Sequence, residues 1–202
     1  MIYKDYGKTG KKLSVVGNAG SRFDKSLPVE HHAEMLLYAF EQGVNHFDTC
    51  AYYNHSHCED IYGLAIKQLK RDSFFASSKT CPQPPHNHDT KEKVKAEVRR
   101  SLERMNLDRF DFYYLWQVKT AADYELAMRP GGMYEGLLEL KSEGLIGHIC
   151  VSVHMPGDEV IQVIETGSFE GVLLSANILN FPYTLAAHII QLCYRHFASP
   201  FS

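Results

Sequence analysis

Apolar and polar positions along the chain follow two periods, one helical and one of strand type. Short strand-like runs over 3–6 and 12–16 flank Gly7-Lys8-Thr9-Gly10, a turn-prone segment, and read as a β-hairpin. The apolar run Val15-Val16-Gly17 then ends in a small-residue turn, Asn18-Ala19-Gly20. From there helices and strands alternate. The spacing predicts helices over 29–42, 58–70, 90–105, 132–142, 158–165 and 185–196. Between them lie strands over 44–48, 74–79, 110–116, 148–153 and 171–176. Counting the first strand, about six strand–helix units follow one another, which argues for βαβ connections and a parallel sheet. The segments 80–89 and 118–131 read as irregular, and no linker divides the chain, so 1–202 is expected to form a single domain.

Composition narrows the class without naming a chemistry. With 202 residues, 45% hydrophobic and 22% charged, the chain can bury a sizeable core. A net charge of −3 gives no general attraction to nucleic acid or to anionic membranes. No apolar run approaches the roughly 20 residues needed to span a bilayer, so neither nucleic acid nor membrane is an expected partner. The five cysteines (Cys50, Cys58, Cys81, Cys150 and Cys193) are odd in number and scattered, which suits a reducing, cytoplasmic compartment.

Candidate chemistry collects at strand ends. Asp48 closes one strand, Tyr52 and Tyr53 follow within a turn, and Lys79 closes the next strand. In a parallel barrel the carboxyl ends of all strands meet at one face, so these residues converge. A phenol with a pKa of about 10 is a poor proton donor at neutral pH. An adjacent ammonium lowers that value, and a carboxylate keeps the ammonium charged and in place. Such a group can protonate a carbonyl oxygen while hydride arrives at carbon. His55, His57 and Cys58, with His86 and His88, offer metal donors, but their spacing matches no known ligand set and no metal site is assigned. The run Lys91, Lys93, Lys95, Arg99 and Arg100 is interspersed with glutamates and reads as a solvated helix face. G-x-G-x-x-G is absent, which disfavours a Rossmann nucleotide fold.

At these residues the sequence resembles the aldo/keto reductase family. The resemblance is carried by Tyr6-Gly7-Lys8-Thr9-Gly10, by Gly43-Val44-Asn45-His46-Phe47-Asp48-Thr49 with Ala51-Tyr52-Tyr53, and by Ser77-Ser78-Lys79-Thr80. It continues in Asp108-Arg109-Phe110-Asp111-Phe112-Tyr113-Tyr114-Leu115 and in Gly144-Leu145-Ile146-Gly147-His148-Ile149. Asn177-Ile178-Leu179-Asn180-Phe181-Pro182-Tyr183 resembles a subgroup whose members often carry an iron–sulfur extension, although no cluster-binding cysteine motif is present.

The resemblance implies a TIM-type (β/α) barrel with an N-terminal hairpin, NADPH or NADH as cofactor, and a small-molecule aldehyde or ketone as substrate. It assigns Tyr53 as general acid, Lys79 as its partner, Asp48 as the carboxylate holding Lys79, and Ser152 and Asn177, with Asp48, to the cofactor side. Trp116 stands where the family usually has a histidine, and Val153 and Val172-Leu173-Leu174 replace other family positions. A full barrel takes about 250 residues, so the chain is expected to be C-terminally truncated, lacking two units. Its open sheet edges would then invite self-association. Two functions fit: a carbonyl-reducing oxidoreductase, or a catalytically weak relative acting as a binding or assembly module.

Overall fold

The computed structural model describes residues 1–6, 9–53 and 57–175. Strands β1 (Tyr3–Asp5) and β2 (Lys12–Ser14) pair antiparallel as the hairpin. A six-stranded parallel sheet follows, ordered β3 (Asn18–Ala19), β4 (His46–Asp48), β5 (Phe75–Thr80), β6 (Phe110–Val118), β7 (Ile146–Val153) and β8 (Gly171–Leu174). Helices α1 (Val29–Glu41), α2 (Cys58–Ile66), α3 (Lys91–Met105), α4 (Ala121–Met128), α5 (Met133–Ser142) and α6 (Gly157–Glu165) lie between the strands. Strand neighbours are sequence neighbours throughout, so the sheet curls as part of a TIM-type barrel.

Three local features depart from the expected elements. The first barrel strand falls on Asn18–Ala19, where a turn was predicted, and pairs with Phe47 and Asp48. Val15 and Val16 instead stay exposed at 55% each. Polar Asn18 is held there because the Tyr62 hydroxyl lies 2.7 Å from its side-chain oxygen and 3.0 Å from its carbonyl. Second, the stretch read as irregular over 118–131 contains α4. Its start is a capping box in which Thr120 accepts from the Asp123 amide and Asp123 accepts from the Thr120 amide. Third, the basic face of α3 is not simply solvated. Lys91 and Lys95 pair with Glu139 on α5, and Lys95 and Arg99 pair with Glu143 just beyond it. The predicted helix over 185–196 lies outside the described residues.

Alternation along the strands sorts side chains into two layers. One face of the sheet packs Phe47, Ala76, Tyr113, Leu115, Ile149 and Val151 against the helices. The other faces the barrel interior, where Leu13, Phe112, Tyr114 and Cys150 cluster with Tyr6 and Phe75. Tyr6 enters this interior from the hairpin, its hydroxyl 3.0 Å from that of Tyr114. Gly171 leaves it room, since a Cβ there would sit 2.7 Å from the Tyr6 hydroxyl and 2.9 Å from the Cys150 sulfur. No helix among the described residues is long and apolar enough to cross a membrane.

Candidate active site

Asp48 is the last residue of β4, and Lys79 the last but one of β5. Asp48 pairs in register with Ser77, so Asp48, Ser77 and Lys79 share the interior face. Burial leaves Lys79 1% exposed, and such a charge requires partners. Its Nζ donates to Asp48 Oδ2 at 2.5 Å and to the Thr49 carbonyl at 2.7 Å. An ammonium has three donors, which leaves one. Nζ also lies 4.9 Å from the centroid of the Tyr53 ring. Tyr53 is placed by the short turn after β4, where its amide donates to the Cys50 carbonyl at 3.1 Å.

Asp48 is itself oriented from below. Ser77 Oγ donates to Asp48 Oδ1 at 2.7 Å, and His46 Nε2 lies 3.2 Å from Ser77 Oγ. Burial holds the His46 pKa below its ordinary value. For Lys79, burial favours the neutral amine, but Asp48, Tyr53 and Cys50 outweigh it and the pKa rises. For Tyr53 the balance runs the other way from the expectation. Burial raises the phenol pKa, and the opposing pull of Lys79 does not cancel it. Tyr53 is therefore a phenol held protonated, not one poised as phenolate.

Trp116 joins this group through an irregularity in the sheet. The β6–β7 register shifts between Leu115 and Val118, and Gln117 adopts a φ of 60°. A bulge with a left-handed non-glycine residue re-aims the neighbouring side chain at some cost in strain. Here it sets Trp116 edge-on to Tyr53, with ring centroids 5.7 Å apart at 89°.

The structure thus brings together Asp48, Tyr53, Lys79 and Trp116. Ser152 lies buried on β7, two positions beyond interior Cys150 and so on the same face. Asn177 lies outside the described residues. Sequence reasoning gave no role to His46, Ser77 or Thr49, and weighed His86 only as a metal donor. Counting back by two from Asp48 and Lys79 places His46 and Ser77 on the interior face, whereas nothing in the sequence places His86 beside Tyr53 and Trp116. Among the described residues no group of three or more His, Cys, Asp or Glu side chains could hold a metal ion.

The profile of the Aldo/keto reductase family matches residues 16–194. The chain belongs to the aldo/keto reductase family. Curated relatives include D-arabinose 1-dehydrogenase of Saccharomyces cerevisiae, 29% identical over 170 residues, covering 76% of this chain and 47% of the relative. A probable voltage-gated potassium channel subunit beta of Arabidopsis thaliana is 28% identical over 135 residues, covering 64% of this chain and 41% of the relative. This aldo/keto reductase chain therefore spans less than half the length of those two relatives. An aldo-keto reductase from Klebsiella pneumoniae in complex with NADPH shares its fold, with a TM-score of 0.76 at 20% identity over 96% of this chain and 66% of that one.

Proposed function

We propose that this aldo/keto reductase chain is a nicotinamide-dependent oxidoreductase that reduces a small aldehyde or ketone, with Tyr53 as general acid. The observation that carries the reading is the convergence of Asp48, Lys79 and Tyr53 at the carboxyl ends of β4 and β5, with Lys79 held by two short hydrogen bonds. The NADPH bound by the Klebsiella relative and the name of the yeast relative, D-arabinose 1-dehydrogenase, support it.

The residues present fit such a cofactor. Ser152 is a buried residue on the interior face of β7, where its hydroxyl could hold a carboxamide. Bound NADPH supplies the hydride. Tyr53 gives its phenolic proton to the carbonyl oxygen as negative charge builds there. Burial keeps the proton on Tyr53 at rest, and the pull of Lys79 in the other direction eases its transfer to the developing alkoxide, the stronger base. Lys79 then stabilises the phenolate left behind, and Asp48 fixes the lysine so that no reorganisation is needed. Ser77 and His46 hold the Asp48 carboxylate in turn.

Trp116 favours a second reading, a catalytically weak relative acting in assembly, since an indole N–H donates but cannot accept a proton. Titration of the chain with NADPH and NADH, followed by cofactor fluorescence and by turnover on an aldehyde panel, separates the two. Saturable binding with turnover is the expected result. Absence of binding at millimolar cofactor contradicts the oxidoreductase reading.

A further inference from the structure

The loop between β5 and α3 carries a histidine that no step above uses. His86 stacks on Tyr52 with ring centroids 3.4 Å apart at 25°, and on Trp116 at 6.0 Å and 30°. Trp116 in turn meets the edge of Tyr53. Tyr52, His86, Trp116 and Tyr53 therefore form one continuous run of rings ending at the phenol of the active site.

His86 is held at both its backbone and its ring. The Gln83 carbonyl accepts from the His86 amide at 3.2 Å and from the Asn87 amide at 3.0 Å. The Gln83 side chain donates to the Gln117 carbonyl at 3.1 Å, which ties this loop to the bulge that aims Trp116. Behind His86, the Tyr52 hydroxyl lies 3.1 Å from His88 Nδ1, and Thr80 Oγ1 lies 2.6 Å from the same nitrogen. Stacking engages the face of the imidazole and leaves its edge. Among the described residues no group hydrogen-bonds either ring nitrogen of His86, and the side chain is part-exposed. Burial lowers its pKa against the weaker pull of Glu97, so near pH 7 the ring is neutral and its edge offers one donor and one acceptor.

We propose that His86 is a specificity-determining residue of this site, hydrogen-bonding a hydroxyl group next to the carbonyl and so favouring hydroxylated aldehydes over their plain alkyl counterparts. The inference rests on the carbonyl-reducing reading above for its place in catalysis, but not for binding. A planar edge with one donor and one acceptor matches a hydroxyl, which has both. An unhydroxylated chain leaves these nitrogens desolvated and unpaired, which is the basis of discrimination by polar pockets.

The test uses the full chain, D-glyceraldehyde and propanal. In the NMR spectrum, the His86 ring signals, assigned by their loss in His86→Phe, should shift saturably with D-glyceraldehyde and stay in place with propanal. With NADPH, His86→Phe keeps the stacked ring and should reduce propanal within about twofold of the parent. Its kcat/KM for D-glyceraldehyde should fall about tenfold, mostly through KM, with partial recovery in His86→Asn. Ring signals unmoved by D-glyceraldehyde, or an unchanged ratio of the two aldehydes in His86→Phe, overturn the proposal. Ring shifts without NADPH turnover on either aldehyde uphold it while contradicting the oxidoreductase reading.

Discussion

Strand β5 carries buried polar side chains on both faces, and the two sets behave differently. On the interior face stand Ser77 and Lys79, tied to Asp48 and to the Thr49 carbonyl. On the helix face stand Ser78, which donates to Glu59 Oε1 at 2.8 Å, and Thr80, bonded to His88. Arg104 of α3 completes that outer set. It binds both Glu59 and Glu97, with contacts of 2.6 and 3.0 Å, and His88 lies 3.7 Å from Glu97. Both sets hold charge out of water, so burial alone does not mark the functional one. Outside, two carboxylates share an arginine and the hydroxyls that flank Lys79 along the strand have partners. Inside, Lys79 has its third donor on the side of a phenol that is only half-buried. A charged donor shared with a reachable phenol is what separates this set from a structural clamp.

The contrast is sharpest when each set loses its cation. Lys79→Met keeps the volume of the side chain but removes the charge that stabilises a Tyr53 phenolate. Turnover should fall about 10³-fold, roughly 4 kcal/mol of transition-state stabilisation, with NADPH affinity changed by only a few fold. Steady-state kinetics with cofactor titration check this, and equal loss of binding would make Lys79 a structural residue. Arg104→Met should do the opposite. It leaves Glu59 buried without its cation, and urea unfolding should show a loss of about 3 kcal/mol. Activity per folded molecule should stay within about threefold, and a larger loss would mean that the outer set contributes to the chemistry.

A smaller effect, read in pH, sharpens the interior side. Because burial raises the Tyr53 pKa, with Lys79 pulling it down less strongly, the acid form persists at and above its ordinary value of about 10. The rate of carbonyl reduction should be level from about pH 6 to 9 and decline only beyond. A decline centred near pH 7 would show that Lys79 dominates and that Tyr53 works from a lowered pKa.

Much of this layout was legible in the sequence because it rests on local rules. The alternation of helical and strand periods identified the parallel sheet, and Asp48, Tyr53 and Lys79 stood out as polar residues at strand ends. What the sequence concealed depends on packing or on short signals. Strand β3 is only two residues long, Asn18 and Ala19, and Tyr62 of α2 holds Asn18 in it. Helix α4 is marked only by its capping box, Thr120 and Asp123, a short pattern that apolar periodicity does not reinforce. Trp116 was visible as a residue type, but its turn toward Tyr53 depends on the bulge and the positive φ of Gln117. His86 lies in a loop rich in proline and histidine, where neither period nor motif fixes position, and only the fold stacks it on Trp116.

The most direct test of the interior site is transfer of deuterium from NADPH labelled at the nicotinamide C4 to an aldehyde, in the parent chain and in Tyr53→Phe. The account predicts product carrying deuterium at the carbinol carbon from the parent chain. It predicts formation at least about 10²-fold slower in the variant, with cofactor affinity retained. Equal rates in the two chains, or product without deuterium, would contradict it.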